Sequence, residues 1–136
     1  VHSKPAFDFT GTIIETLNIK ITEYTPERVV ATMPVNAKVH QPFGKLHGGA
    51  SLVLAETVAS AGSYQFIDIN RQHAVGLEIN ANHIRSQAAG LVKAVGIPVH
   101  VGRSTQVWDI RIYNEKEELI CISRCTTAVI EIKDDK

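Results

Sequence analysis

Glu56 is the only formally charged side chain between residues 46 and 67, in a run built mainly of Ala, Val, Leu, Gly and Ser. A lone carboxylate among apolar groups costs several kcal/mol, about the desolvation of one ion, unless it is paired or hydrogen-bonded. Two readings follow: a structural pairing with an Arg from elsewhere or an exposed seam, or a general base or nucleophile facing a cleft. Ser60 lies one helical turn further on, about 40° around, so its hydroxyl can orient Glu56 or a water. Upstream, Gly48 and Gly49 open the same run. The first N–H groups of a helix have no internal partner, so a carbonyl oxygen at Gly48 would meet an N–H and the positive end of the helix dipole, as an oxyanion hole requires. Gln41 and His47, on the preceding loop, can polarise or position that carbonyl. The bland alternative is glycines that allow tight packing beside two turn residues.

A second group lies downstream. His83 continues an apolar alternation of Val75, Leu77, Ile79 and Ala81, where either a satisfied core histidine or a site residue fits. Arg85 and Ser86 follow, and His100, Val101, Gly102, Arg103, Ser104 and Thr105 form a corner whose cations and hydroxyls suit phosphate. Exposed arginines at strand ends also commonly bind nothing. The six histidines, at 2, 40, 47, 73, 83 and 100, show no metal-ligand spacing. There is no Walker loop, no G-x-G-x-x-G, no H-E-x-x-H and no paired C-x-x-C, and Gly49 to Val53 fails the nucleophile-elbow pattern at its last position. No metal or cofactor is expected.

The elements that must position these groups are legible from periodicity. Residues 12–22 and 27–35 are β-rich runs around a turn at Tyr24-Thr25-Pro26, which predicts a hairpin. A Pro- and Gly-marked loop follows from Val39, then one long helix from Ala50 to about Phe66. Apolar residues on nearly every side predict a helix surrounded by protein. Four strands are expected at 73–86, 90–102, 104–114 and 119–132. Trp108, Ile110 and Ile112 should share a face, and residues 114–118 should form a solvated hairpin tip. The whole is an α+β domain, an antiparallel sheet wrapped around one central helix, with a single domain expected over residues 1–136.

Fourteen basic and fourteen acidic residues give zero formal charge, which excludes a partner held by a basic surface, whether nucleic acid or anionic lipid. The helical run is too interrupted by polar residues to span a membrane. Cys121 and Cys125, four apart in one strand, cannot bridge each other. Val1 to Phe9 lacks the apolar core of a secretory leader, and a cytoplasmic, reducing setting is expected. The charged tail Lys133 to Lys136 is expected to fray. One helix cannot cover both faces and the edges of such a sheet, so a homodimer or tetramer is expected.

Gln41-Pro42-Phe43-Gly44-Lys45-Leu46-His47-Gly48-Gly49-Ala50-Ser51, followed by Leu54-Ala55-Glu56-Thr57, resembles the active-site segment of hotdog-fold acyl-CoA thioesterases. The branch it resembles includes the 4-hydroxybenzoyl-CoA, 1,4-dihydroxy-2-naphthoyl-CoA and enterobactin-proofreading enzymes. The resemblance extends through Gly76 to His83 and His100 to Arg103. It implies a hotdog fold and hydrolysis of an aromatic or medium-chain acyl-CoA. It makes Glu56 the catalytic carboxylate, acting as nucleophile or base, and Gly48 the oxyanion donor. Gln41 and His47 would orient the carbonyl, Ser60 would support hydrolysis, and His83 would lie near the acyl group. Gly76, His83, Ile84, Arg85, Ser86 and His100 to Thr105 would line the coenzyme A channel, in sites assembled across a dimer. Leu52, Tyr64, Phe66 and the loop at Phe43 would shape the acyl pocket. Related phenylacetate-pathway enzymes carry Asn and Asp where this chain has Gln41 and Glu56. A hotdog 3-hydroxyacyl-CoA dehydratase and a non-enzymatic acyl-CoA sensor are the alternatives. The chemistry needs no metal, since a thioester is electrophilic and its thiolate leaves readily.

Overall fold

The computed structural model describes residue 5 and residues 7–133, so His2 and residues 134–136 of the charged tail lie outside it. Helix α1 (Ile13–Thr16) is followed by strands β1 (Lys20–Tyr24) and β2 (Val29–Pro34). A 3-10 turn (Ala37–Val39) leads through the glycine-marked loop to α2 (Gly48–Ser63), which a 3-10 turn at Tyr64–Phe66 extends. Four strands then follow: β3 (Gln72–His83), β4 (Leu91–Val101), β5 (Thr105–Tyr113) and β6 (Leu119–Glu131). All six strands form one antiparallel sheet in the order β1-β2-β4-β5-β6-β3, with α2 packed across it. This is the hotdog arrangement expected from the sequence.

The core lies between α2 and the concave face of the sheet. Leu54, Ala55, Val58 and Ala59 on the helix meet Val29, Ala31, Met33, Val92, Ala94, Trp108, Ile110 and Ile112, all fully buried. The expected face of β5 is therefore correct. Close approach depends on two glycines. A β-carbon on Gly62 would stand 2.5 Å from the Trp108 ring, and one on Gly96 would collide with Val58. At the C-terminal end of α2 a polar network is buried whole. The Trp108 indole N–H donates to Ser63 Oγ (3.1 Å) and Gln106 Oε1 (3.2 Å), Gln106 Nε2 donates to the Ser63 carbonyl (3.1 Å), and Ser63 Oγ meets Thr127 Oγ1 at 2.8 Å.

Three expectations are corrected. The first hairpin begins at Lys20, because residues 12–17 turn into α1. Thr12 stands at its N-cap, Asn18 adopts positive φ (56°), and the Ile19 N–H closes the end on the Ile14 carbonyl at 2.9 Å. That turn points Ile14 and Leu17 at the core, so tertiary burial overrides the β-preference of Ile13-Ile14.

Helix α2 is not enclosed on all sides. Ser51, Leu54, Ala55, Val58, Ala59, Ala61, Gly62 and Ser63 are buried, while Leu52, Val53, Thr57 and Ser60 are half-buried and Glu56 is exposed.

Val75, Leu77, Ile79 and Ala81 do not share one face. Gly76 pairs with Thr127 but Glu78 with Thr126, so Leu77 is an extra residue in a β-bulge. Ala74 and Gly76 face the helix before it, and Ile79, Ala81 and His83 after it. Val75 and Leu77 are left 42% and 63% exposed. The 114–118 tip is present, though Asn114 within it is buried, its Oδ1 accepting from the Lys116 and Glu118 N–H groups.

Candidate active site

The loop before α2 is held by its own side chains and by the segment after β3. Gln41 Oε1 accepts from the Phe43 N–H (2.6 Å) and the Lys45 N–H (3.4 Å), and Gly44 takes positive φ (76°) to complete the turn. With its oxygen engaged, Gln41 keeps its NH₂ for an outside acceptor. The Leu46 N–H donates to the Gln87 carbonyl at 2.7 Å, and His40 Nε2 meets the Ala88 carbonyl at 2.8 Å. The loop is thus braced on both sides.

Helix α2 begins at Gly48, two residues earlier than expected, because His47 serves as its N-cap. Its Nδ1 accepts from the Gly49 N–H at 2.8 Å. In the neutral ring the proton is therefore on Nε2, leaving that nitrogen a donor. The Ala50 and Ser51 N–H groups turn back to the His47 carbonyl, at 3.0 and 3.3 Å. Gly48 N–H finds no acceptor among the described residues and keeps the free donor of a helix N-terminus. His83 stacks against this residue: a β-carbon on Gly48 would stand 2.7 Å from His83 Nε2.

Glu56 lies further along α2 and reaches towards β3. A β-carbon on Gly76 would stand 2.8 Å from Glu56 Oε2 and 2.9 Å from its Cδ. The carboxylate therefore occupies the space the glycine leaves. Beneath it, burial and the charges of Glu56 and Glu78 push the Cys125 thiol up to about 12, keeping it protonated. No cation pairs with Glu56 among the described residues. The ion-pair half of the structural reading finds no support, while the exposure of Glu56 agrees with its other half, an exposed seam, and not with a buried carboxylate.

These groups line two separate depressions. Glu56 and Ser60 face a cleft of about 520 Å³ with Gly49, Leu52, Val53, Thr57, Ala61, Tyr64 and Ala74. No hydrogen bond joins Glu56 to Ser60. Gln41, Gly48, His83, Ile84, Arg85 and Ser86 line the other, of about 350 Å³, with Lys45, Leu46, Ser51, Gln87 and Ile120. Arg85 there pairs with Glu118 at 3.4 Å.

His100 to Thr105 belong to neither. They form the β4–β5 corner, where the Gly102 N–H donates to the Thr105 carbonyl (2.8 Å) and the Ser104 carbonyl accepts from Val129 (2.9 Å). His83 pairs with Cys121 on β6, while Thr105 pairs with Ala128. Seven residues of strand are about 23 Å. One chain therefore holds its two cationic groups at opposite ends of the sheet.

Of the expected acyl-pocket residues, Leu52 and Tyr64 line the cleft. Phe66 instead packs near Trp108 (6.4 Å between ring centres), and Phe43 is 86% exposed. The sequence reading missed Phe7, Phe9, Ile13 and Ile14, which complete the cleft from the N-terminal side. Two phenylalanines in an irregular segment carry no periodic signal that could have placed them. Among the described residues no three His, Cys, Asp or Glu side chains converge as a metal site, and no helix is long and apolar enough to cross a membrane.

Residues 43–121 match the family model described as Thioesterase superfamily. ComA2 of Bacillus subtilis (strain 168) is 59% identical over 124 residues, covering 91% of this chain and 98% of that protein. A Listeria monocytogenes (serotype 1/2a, strain 10403S) protein named 1,4-dihydroxy-2-naphthoyl-CoA hydrolase is 52% identical over 115 residues, 85% of this chain and 93% of that one. A crystal structure of a mutant of thioesterase PA1618 from Pseudomonas aeruginosa superposes with a TM-score of 0.89 at 44% identity, covering 91% of this chain and 89% of that chain.

Proposed function

Because the chain belongs to the thioesterase superfamily, we propose that it hydrolyses an aromatic or medium-chain acyl-CoA, with Glu56 as its catalytic carboxylate. The single observation that supports this most is the seating of that carboxylate. It is the one acidic or basic side chain of α2, it has no cation partner among the described residues, and it rests over Gly76 at the edge of a mostly apolar cleft. In that cleft an acyl group would be covered and its carbonyl carbon held near Glu56.

The reaction follows from these groups. Glu56 takes a proton from water as the water oxygen bonds to the carbonyl carbon, or its own oxygen makes that bond first and water later releases the acyl group. In either route the carbonyl electrons move to oxygen, and the Gly48 N–H would stabilise that charge at the positive end of α2. Gln41 Nε2 and His47 Nε2 would donate to the same oxygen or to the group beside it. Ser60 would hold the water. Collapse of the tetrahedral species breaks the carbon–sulfur bond, and the coenzyme A thiolate leaves.

Gly48 and Glu56 of one chain do not serve one carbonyl. They are eight residues apart on one helix, about 12 Å along its axis, and they line different depressions. We take Gln41, His47 and Gly48 of one copy to act with Glu56 and Ser60 of a second, in a homodimer or a tetramer of such dimers. The same pairing would let the Arg85 region and the corner at His100 to Thr105 approach one coenzyme A from two chains, with Gly76 beside the acyl end. The buried, unpaired Cys121 and Cys125 suit a cytoplasmic, reducing compartment.

The test is thiol release from a panel of benzoyl-, hydroxynaphthoyl-, phenylacetyl- and straight-chain acyl-CoA. Glu56→Ala should lower kcat by at least about a hundredfold with an unchanged melting temperature. Wild-type turnover in that variant removes Glu56 from the mechanism. Alkene formation from a 3-hydroxyacyl-CoA without thiol release favours the dehydratase.

A further inference from the structure

The cleft beside Glu56 has a wall that lies outside the matched family segment, residues 43–121. Phe7, Phe9, Ile13 and Ile14 come from the stretch before β1. We infer that this N-terminal stretch is the specificity element of the enzyme, with Phe7 forming the far end of the acyl site and favouring acyl groups long enough to reach it.

The geometry runs along α2. Glu56 and Tyr64 are eight residues apart on the same helical stretch, about 12 Å, and Leu52, Val53 and Thr57 floor the cleft with them. At the Tyr64 end the Phe7 ring closes on the tyrosine edge-on, with centroids 4.6 Å apart and planes at 75°, and Phe9 stands 6.3 Å behind Phe7. An acyl group whose carbonyl sits at Glu56 and which fills the cleft would therefore end against Phe7. A short acyl group would stop before it.

The attachment of this wall explains why it can differ in function from the sheet. Among the described residues, every backbone–backbone hydrogen bond of residues 7–19 is local: Thr12 to Phe9, Thr16 to Thr12, Leu17 to Ile13, Asn18 to Glu15 and Ile19 to Ile14. None reaches the sheet or α2. The stretch is held to the body by side chains alone, through Ile14 and Leu17 on the core and Phe7 on Tyr64. Its shape is set locally, as where the Asp8 carboxylate accepts from the Thr10 N–H at 3.0 Å. Phe7 remains 39% exposed and Ile13 54%, so their bulk is not required to close the core. Such exposure matches residues whose apolar partner is a ligand.

This inference rests on the reading of Glu56 as the thioesterase carboxylate, and the experiment separates the two. Thiol release is measured for butanoyl-CoA and decanoyl-CoA with the wild-type protein and with Phe7→Ala. The expected result is a kcat/KM for decanoyl-CoA about tenfold lower in the variant, carried mainly by KM, with butanoyl-CoA changed less than about twofold. Preserved butanoyl-CoA turnover also shows that the variant is folded. Phe7→Leu, which keeps apolar bulk, should recover most of the decanoyl-CoA value. Equal loss on both substrates, or no loss on either, overturns the role of Phe7 while thioesterase activity stands. No thiol release by the wild type from any acyl-CoA in the panel overturns the thioesterase reading itself, and this inference with it.

Discussion

The carboxylate of Glu56 lies where the side chain of residue 76 would be: any β-carbon there would meet Oε2 at 2.8 Å. The helix contributes the acid and the edge strand contributes the space. Gly76 does not have the positive φ that only glycine tolerates, so its backbone accepts alanine, and the atom displaced is the end of a flexible side chain. Gly76→Ala should therefore leave the melting temperature within a few degrees while lowering kcat about a hundredfold, the scale of a 1 Å misplacement. Thermal denaturation and steady-state kinetics on one preparation test this. A large loss of stability with normal kcat per folded molecule contradicts it.

The proposed sharing of the site between two copies makes a quantitative prediction for mixed oligomers. Gln41→Ala and Glu56→Ala are each expected to be nearly inactive alone. Mixed in equal amounts after co-expression, random pairing puts both intact groups in one of the two sites of every heterodimer, recovering roughly a quarter of wild-type activity. Absence of recovery, with heterodimers demonstrated by two affinity tags, places the whole site within one protomer.

Ser63→Ala should destabilise the protein by about 1–3 kcal/mol, because it leaves Thr127 Oγ1 without its serine partner and takes one acceptor from the buried Trp108 indole. Urea unfolding followed by Trp108 fluorescence reads this directly. Trp108 is the only tryptophan, so its emission reports the same locus.

Stability should fall at alkaline pH. Burial pushes the Tyr24 hydroxyl up to about 12, and the group donates to the Ala61 carbonyl at 2.7 Å. Between its ordinary value near 10 and about 12, the unfolded chain has lost the phenolic proton while the folded chain keeps it. The unfolded state then binds fewer protons, so unfolding free energy decreases as pH rises. Cys125, also raised to about 12, adds to the same decline from about pH 9 upward. Tyr24→Phe should start about 1 kcal/mol less stable and show a shallower slope between pH 10 and 12 in denaturant titrations.

The parts of this molecule that were legible in the sequence are those governed by local rules. Glu56 stood out by charge, the helix start by its glycines, and the β5 face by strict alternation ending in Trp108, Ile110 and Ile112. What was not legible depends on pairing between distant strands. The alternation from Val75 to Ala81 is unbroken in the sequence, yet one unpaired residue reverses its sense, and only the partner β6 shows this. The same holds for the groups expected from the sequence to hold phosphate: Arg85 and Arg103 are 18 residues apart along the chain, and antiparallel pairing carries them to opposite ends of the sheet. The N-terminal wall was hidden for another reason, since Phe7 and Phe9 are placed by contact with Tyr64 and not by any period of their own.

The bulge at Leu77 makes β3 a strand whose two halves run in opposite phase. With an extra residue there, Gly76 falls under the carboxylate and Ala74 faces the same cleft, while Ile79 and Ala81 still reach the core. Many residues at 77 would serve, because the side chain points into solvent. Straightening the strand at its full length would set Leu77 opposite Thr127 and bring its side chain beneath Glu56, whereas removing the position leaves Gly76 opposite Thr127 and Glu78 opposite Thr126. For this enzyme the damaging change on the edge strand is one that flattens the bulge without shortening the strand, and a tolerant-looking surface position is where the phase of the strand is kept.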